Sequence, residues 1–188
     1  MMNTERLSVL FRQILSESGF DLTDPNMVDT PTRMANTFKE FLYGHTEDAQ
    51  TELTQLVQKT FPSHLDEMIT IRQIQAVGIC PHHFLPVTYK IDVGYIPNAS
   101  KCIGLSKIPR IVRILASRAV MQETLCADIA QFLMDNLNPQ GVAVHVVGVH
   151  TCMSLRGVKE SNADMVTTAL LGCLRNHTSK QEFLQSLR

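Results

Sequence analysis

The chain has 188 residues and a formal net charge of −1, with 44% hydrophobic and 19% charged residues. This balance is normal for a globular protein and excludes a disordered or collagen-like chain. The near-neutral charge offers no basic field for nucleic acid, and no apolar run is long enough to span a membrane.

The first third of the chain is predicted to be helical. Apolar residues recur at helical spacing over residues 4–18, which predicts an amphipathic helix. A second helix is expected to have Thr30 as its N-cap and Pro31 at its first position, and to end near Gly44. Residues 48–59 predict a third, shorter helix.

The pattern changes to strands near Met68. The apolar alternation after Met68 slips midway, which predicts a strand with a bulge. Residues 86–96 alternate cleanly as a second strand, and 97–100 are expected to form a loop. The later elements are helices over 107–117, capped by Ser106, and 121–137, strands over 142–149 and 165–174, and a closing helix over 179–187.

These elements predict an α+β fold, in which two helices cover one face of a four-stranded antiparallel sheet. We expect residues 1–65 to form a helical N-terminal region and residues 66–188 to form the domain that carries the sheet. The sequence thus predicts one main domain with a helical extension.

The cysteines and the N-terminus bear on the compartment. Five cysteines are scattered along the chain, at positions 80, 102, 126, 152 and 173. An odd and dispersed set does not resemble a disulfide framework and fits a reducing cytosol. Glu5, Arg6 and Arg12 interrupt the N-terminal apolar stretch, so it lacks the centre of a signal peptide. We therefore expect a soluble cytoplasmic protein.

Two short clusters combine cysteine and histidine. The first is Cys80-Pro81-His82-His83, and the second is His150-Thr151-Cys152. Thiolate and neutral imidazole are the ligands that zinc prefers, and the Cys-x-x-His spacing lets one turn aim two side chains at one ion. A third ligand from the second cluster would leave a coordination position for water, as catalytic sites do. Buried structural cysteines and hydrogen-bonded histidines are the alternative, and the two clusters alone leave both interpretations open.

Two further segments could contact a ligand. Residues 103–110 open a helix with Lys107 and Arg110 on one face, where free backbone N–H groups favour an anion. Gln122 and Glu123 start the long helix, and a carboxylate there could accept two hydrogen bonds from a guanine edge. Solvated basic residues and an acid stabilised by the helix dipole are the ordinary alternatives.

Taken together, these segments resemble the GTP cyclohydrolase I family. The matching motifs follow the family order over nearly the whole chain: residues 30–33, 80–83, 95–97, 103–110, 122–123, 141–144, 150–153, 156–158 and 182–184. The resemblance implies the tunnelling fold, in which subunits join their antiparallel sheets into a barrel and two five-membered rings stack into a decamer. An exposed strand edge, expected for strands such as 87–95, gives a physical reason for such an assembly.

The resemblance also implies the reaction: GTP and water give 7,8-dihydroneopterin triphosphate and formate, the first step of pterin- and folate-type biosynthesis. Folate, biopterin and deazaguanine routes all start with this product. By position in the matched motifs, the implied Zn²⁺ ligands are Cys80, His83 and Cys152. His150 would be the general acid/base beside the guanine imidazole ring, and His82 and Ser106 would assist proton transfers.

The remaining implied roles concern GTP binding. Glu123, with Gln122 near it, would hold the guanine edge and reject adenine, which would leave the carboxylate unpaired. The implied triphosphate ligands are Lys107, Arg110, Arg156 and Arg33. Of these, Arg33 would reach into a neighbouring subunit's pocket.

One position departs from the family pattern, because Pro81 stands where most members carry a glutamate. Proline removes a backbone donor, fixes φ and takes one negative charge from beside the metal. Two competing hypotheses are another tunnelling-fold enzyme acting on pterins or deazapurines, and a catalytically inactive assembly partner. The first does not explain Cys80, His83, Cys152 and residues 106–110 together, and the second would be favoured by loss of a ligand or of His150, none of which is lost.

Overall fold

The computed structural model describes residues 2–62, 66–98 and 101–188. The helices are α1 (Thr4–Glu17), α2 (Thr30–Phe41), α3 (Glu47–Gln58), α4 (Lys107–Ala116), α5 (Gln122–Leu137), α6 (Thr151–Ser154) and α7 (His177–Ser186). The strands are β1 (Thr60–Pro62), β2 (Ile69–Ile79), β3 (Pro86–Ile96), β4 (Lys101–Ile103), β5 (Gly141–His150) and β6 (Met165–Gly172). Short 3₁₀ turns cover Tyr43–His45 and Cys173–Arg175. Parts of the expected loop at 97–100 and of the expected boundary at 65/66 lie outside the described residues.

The N-terminal region is helical, as predicted. Helix α1 ends in a Schellman motif, in which Gly19 adopts φ 83° and the Phe20 N–H donates to the Leu15 carbonyl at 3.1 Å. Phe11 of α1 packs edge-on against Phe38 of α2, with ring centroids 4.8 Å apart. Within the described ranges, no helix combines the length and apolar character needed to cross a membrane.

Two predicted caps differ from the structure. Asp29, and not Thr30, occupies the N-cap of α2, so that Thr30 is the first helical residue and Pro31 lies in the first turn. Ser106 precedes α4 as expected, but its backbone is already helical and its side chain makes no capping hydrogen bond within the described residues. Both helices therefore begin without a side-chain cap, and the Ser106 hydroxyl is left available to a ligand.

The main sheet has four antiparallel strands in the order β2-β3-β5-β6. Helices α4 and α5 pack on one face of it, and the core between them is continuous. Fully buried members of this core include Ile91, Ile108, Ile111, Leu125, Ile129 and Val144. The α+β prediction, with two helices on one face of a four-stranded sheet, is confirmed.

The bulge predicted in the first long strand is also present. The β2–β3 register shifts between Ile71 and Ile74, and Gln73 adopts φ 60° at that point. The Gln73 N–H, which the shift removes from the ladder, donates to Asp92 Oδ1 at 2.8 Å. Asp92 is buried, so this bond satisfies both the extra backbone donor and a buried carboxylate.

The sheet edges differ from the prediction. Strand β3, which contains residues 87–95, lies inside the sheet because it pairs with both β2 and β5, and the edges are β2 and β6. The sequence also gives no signal for the separate ribbon of β1 and β4, whose strands have only three residues each. A three-residue strand is too short for a periodic pattern.

Candidate active site

The first cysteine–histidine cluster occupies the hairpin between β2 and β3. The Cys80 N–H donates to the Leu85 carbonyl, and the Phe84 N–H donates to the Cys80 carbonyl, both at 2.9 Å. This closed turn buries the Cys80 side chain and leaves those of His82 and His83 exposed. Pro81 fits, because neither of these closing bonds uses its missing N–H and its fixed φ suits the start of a turn.

The register of the sheet brings the second cluster to the same place. His150, the last residue of β5, pairs with Val87 at the start of β3. The chain then turns at once into α6, and the Thr151 hydroxyl donates to the Pro86 carbonyl at 2.5 Å. Cys152 is therefore held beside the hairpin that carries Cys80, although 72 positions separate the two cysteines in the sequence.

Three predicted metal ligands converge. One ligand atom from each of Cys80, His83 and Cys152 lies within 4.8 Å of the others. A tetrahedral zinc ion, with bonds of about 2.3 Å to sulfur and 2.0–2.1 Å to nitrogen, would separate its ligand atoms by roughly 3.5–3.8 Å. Side-chain rotation can close that difference, so these two thiols and one imidazole fit zinc in both chemistry and spacing.

The state of the two thiols supports a shared ion. Burial, followed by the hydrogen bond and charge of Cys80, raises the pKa of the Cys152 thiol, and Arg156 partly opposes the rise. Two adjacent thiolates repel each other, and a bound cation would offset that repulsion. The Cys80–Cys152 pair is thus suited to a divalent ion.

Arg156 contacts the third ligand. Its Nη1 donates to His83 Nε2 at 2.7 Å, and both side chains are exposed. A guanidinium can only donate, so this nitrogen of His83 presents its lone pair to Arg156. Coordination of a metal through the same nitrogen requires Arg156 to move away, toward a partner such as a phosphate.

His150 lies half-buried at the end of β5. Burial lowers the pKa of His150, and the negative charge of Glu123 partly offsets that effect. The ring lies edge-on to the buried Tyr89, with centroids 6.3 Å apart. Burial, together with the charges of Cys80, Cys152 and Glu123, raises the pKa of Tyr89 to about 12. Tyr89 thus forms a neutral wall shared by the thiols, the carboxylate and His150.

Gln122 and Glu123 start α5 but have different surroundings. Glu123 is exposed, whereas Gln122 is only 1% exposed and lies beneath His150. Its amide nitrogen lies 3.2 Å from the Val146 carbonyl and 2.8 Å from the Met165 carbonyl. The Gln122 amide is therefore held by hydrogen bonds within the chain, whereas the Glu123 carboxylate next to it is exposed.

Apart from Arg156, the expected phosphate ligands are divided between two helices. Lys107 and Arg110 lie one turn apart on α4, and the Lys107 ammonium donates to the Lys59 carbonyl at 2.7 Å. Arg33 lies on α2 and pairs with Asp29 at 3.3 Å, with both side chains 67% exposed. Such an exposed pair contributes little stability, so it can exchange for a stronger anion.

Two cavities lie near these residues, and neither is lined by Cys80, His83 or Cys152. One of about 950 Å³ lies between α2 and the sheet and shares only the wall residue Tyr89 with the cluster. Another of about 560 Å³ separates α3 from α4, with Lys107 and Arg110 on one side and Asp48 and Glu52 on the other. Within the described residues, neither of these two cavities brings the cysteine–histidine cluster and the basic residues of α4 together.

Sequence reasoning missed Tyr89 and Gly148. Tyr89 occupies an inward position of β3, where an aromatic residue indicates only core. Gly148 lies opposite it across the ladder, and a Cβ there would come within 2.1 Å of Gln122 Oε1. The available signal was a glycine within a run of valines in β5, because such a glycine marks a close approach.

Comparison with known proteins agrees with this geometry. Residues 7–188 match the family described as GTP cyclohydrolase I. GTP cyclohydrolase 1 of Methylococcus capsulatus is 38% identical over 95% of each chain. The Alkalilimnicola ehrlichii protein of that name is 38% identical over 98% of each chain, and the Saccharomyces cerevisiae one is 37% identical over 97% of this chain and 74% of its own. Among solved structures, an apo archaeosine synthase QueF-Like has a TM-score of 0.46 and 16% identity, over 56% of this chain and 93% of that one. By its matched length and the identity of these relatives, the chain belongs to the GTP cyclohydrolase I family and has its tunnelling fold.

Proposed function

We propose that this chain catalyses the hydrolysis and ring rearrangement of GTP to 7,8-dihydroneopterin triphosphate and formate, with zinc as its metal. The observation that carries the proposal is the convergence of Cys80, His83 and Cys152 within 4.8 Å, beside His150 at the end of β5. Family membership supports the substrate and the reaction.

Cys80, His83 and Cys152 would hold the ion. When bound, zinc would lower the pKa of a water molecule enough to supply a nucleophile for the weakly electrophilic C8 of guanine near neutral pH. Three protein ligands are consistent with this use, because structural zinc sites are closed by four.

His150 is the proposed proton carrier. Attack at C8 adds electron density to N7, and a half-buried imidazole can deliver a proton there. The lowered pKa of His150 leaves the ring largely neutral before it takes up a proton, and Glu123 moderates that effect. His82 and Ser106 would assist later proton transfers. His82 is exposed on the hairpin, and the Ser106 hydroxyl makes no capping hydrogen bond to α4.

Charged side chains would bind the two ends of GTP. The Glu123 carboxylate would accept hydrogen bonds from the N–H edge of guanine, which adenine does not offer. The four cations proposed for the triphosphate are Lys107, Arg110, Arg156 and Arg33. Arg156 would exchange His83 for a phosphate oxygen, and Lys107 would exchange the Lys59 carbonyl for another, so a negatively charged acceptor would replace a neutral one in both contacts.

The proposal includes an oligomer, two stacked five-membered rings as in the family, in which Arg33 reaches a neighbouring pocket. The edge strands β2 and β6, each paired on one side only within the described residues, support it, and so does the position of Arg33 on α2, apart from the basic residues of α4. The division into regions 1–65 and 66–188 and a cytoplasmic location belong to the same proposal and stay predictions.

The test measures metal and product on one preparation. Purified protein is loaded with zinc under reducing conditions, because two close thiols can oxidise when no metal holds them. Mass spectrometry should find about one zinc per chain. Incubation with GTP, followed by oxidation, should give a fluorescent pterin and an equal amount of formate.

Cysteine variants provide the matched control. Cys152→Ser should lose both the zinc and the product, whereas Cys102→Ser, on β4 and outside the cluster, should keep both. Reduced protein that takes up no zinc, or zinc-loaded protein that produces neither pterin nor formate, would refute the proposal.

A further inference from the structure

The buried amide of Gln122 contacts the ring of His150 directly. Gln122 Oε1 lies 2.9 Å from His150 Nε2. Its amide nitrogen lies 2.8 Å from the Met165 carbonyl and 3.2 Å from both the Val146 carbonyl and Thr167 Oγ1. The side chain thus connects α5, β5 and β6 at one point, immediately behind the proposed proton carrier.

The direction of each hydrogen bond follows from what these atoms can do. Backbone carbonyls only accept, so the atom between Val146 and Met165 must be the NH₂ group of Gln122. The oxygen of the same amide then faces His150 and can only accept. Nε2 of His150 must therefore carry a hydrogen, and in the neutral ring Nδ1 is the nitrogen without one.

We propose that Gln122 is a positioning residue, which holds the ring of His150 as the Nε2–H tautomer, with Nδ1 as the nitrogen that carries no hydrogen in the neutral ring. The inference rests on the proposed role of His150 in proton transfer. Nε2 keeps its hydrogen whether or not Nδ1 is protonated, so the hydrogen bond to Gln122 survives the whole cycle. The hydrogen that supports the ring, on Nε2, is therefore a different one from any that Nδ1 gains or loses.

Gly148 belongs to the same arrangement. It lies on β5 opposite Tyr89, and a Cβ at this position would meet Gln122 Oε1 at 2.1 Å and Tyr89 Cδ1 at 3.1 Å. Its φ is not positive, so the need for glycine here is one of space and not of backbone conformation. Glycine lets the amide lie against the strand and reach His150.

A buried glutamine with satisfied hydrogen bonds could also serve stability alone. That alternative predicts that its loss weakens folding without changing the tautomer of His150. Position in the helix does not separate the two roles, because both need a buried residue at the start of α5. A direct measurement of the hydrogen on each ring nitrogen does separate them.

The experiment is ¹⁵N magic-angle-spinning NMR on zinc-loaded protein with labelled histidine, in which the signals of His150 are assigned by their loss in His150→Ala. The wild type should show a protonated Nε2 and an unprotonated Nδ1. Gln122→Leu, of similar size but without an acceptor, should lose that preference. Gln122→Glu should restore it, because a neutral carboxyl group can accept from Nε2 and donate to the Met165 carbonyl.

Kinetics on the same proteins should separate turnover from binding. For Gln122→Leu we expect kcat to fall about tenfold to a hundredfold, with KM for GTP changed much less, and Gln122→Glu should recover most of the loss. Gly148→Ala, which pushes against Oε1, should shift the tautomer in the same direction as Gln122→Leu. Gln131→Leu removes an exposed glutamine of the same helix and should change neither measurement.

The results that would overturn the inference do not depend on activity. An Nδ1–H tautomer in the wild type refutes it, even if Gln122→Leu fails to fold. An unchanged tautomer and kcat in folded Gln122→Leu refute it as well. A wild type that shows the Nε2–H tautomer but forms no pterin instead contradicts the proposed function, and leaves the support of His150 by Gln122 standing.

Discussion

Lys107 and Arg110 present two positive charges one turn apart at the start of α4. If they bind triphosphate, Lys107→Ala and Arg110→Ala should each weaken GTP binding by about ten- to a hundredfold, the equivalent of one lost charge-assisted contact. Calorimetric titration with GTP and with guanosine checks this, because guanosine has no phosphates and should lose little.

Two further variants serve as controls for that titration. Lys180→Ala removes an exposed charge on α7 and should leave both affinities unchanged. His150→Ala should suppress turnover and leave GTP affinity nearly intact, because its role is proton transfer in the transition state. Equal losses for GTP and guanosine in the basic-residue variants would contradict the phosphate assignment.

His45 should make stability depend on pH. Its Nε2 accepts a hydrogen bond from the Ala119 N–H at 3.0 Å, and partial burial and the charge of Arg118 lower the pKa of His45 below 6.5. The unfolded chain then binds the proton more readily, so this stability is complete above pH 6.5 and is lost as the pH falls toward the folded pKa. Urea unfolding from about pH 8 to about pH 5 should show a smaller loss for His45→Gln, and equal losses would contradict the prediction.

The proximity of Cys80 and His83 could be predicted from the sequence, because the two residues lie on one turn. The contact of Gln122 with His150 could not, because it joins positions 28 apart and depends on how α5 sits over β5 and β6. Nothing in the sequence fixes that packing.

The bulge in β2 depends on the side chain of Asp92 and on the backbone of Gln73. The Gln73 N–H donates to the buried Asp92, and Gln73 itself has a left-handed backbone. Asp92→Ala should lower the free energy of unfolding by about 1–3 kcal/mol, because it removes the only charged acceptor of that N–H, and Asp92→Asn should cost less. Gln73→Gly should raise stability by roughly 0.5–1 kcal/mol, since glycine adopts this φ without steric cost.

Equilibrium urea unfolding measures all three variants. Gln75→Gly, two residues further along β2 and in regular ladder pairing, is the matched control and should be destabilising. The interpretation fails if glycine at 73 destabilises as much as glycine at 75, or if Asp92→Ala is neutral.

Long elements could be predicted and short ones could not. The slip in apolar alternation predicted the β2 bulge, because period two is broken only where a residue is inserted. β1, β4 and α6 span three or four residues each, which is too short for a pattern to repeat often enough to be recognised. The cap of α2 shifted by one residue, because Asp29 and Thr30 are both good N-caps and the sequence does not rank them.

At the scale of the whole molecule, the sheet is open at both ends. Strands β2 and β6 each pair on one side within the described chain, and Val77 and Val166, one on each edge strand, are 40% and 55% exposed. Edges of eight to eleven residues with apolar side chains would suit pairing with another copy, as the proposed oligomer requires. The sequence indicated the need for a partner but assigned the edge to β3, because strand order depends on pairings between distant segments.

Mixed oligomers test whether the pocket is shared between subunits. If Arg33 of one subunit completes the pocket that contains His150 of its neighbour, Arg33→Ala and His150→Ala proteins should each have low activity, and co-expressed mixtures should recover some. Random assembly places both intact residues in roughly a quarter of the pockets, so activity should approach that fraction of the wild type. A mixture of His150→Ala with Cys152→Ser is the control and should recover nothing, since both residues belong to the same chain's site.

Light scattering must show a large ring-sized particle in each case. Recovery in neither mixture, or a fully active monomer, would place Arg33 outside the pocket and leave the open edges of β2 and β6 as the only reason to assemble.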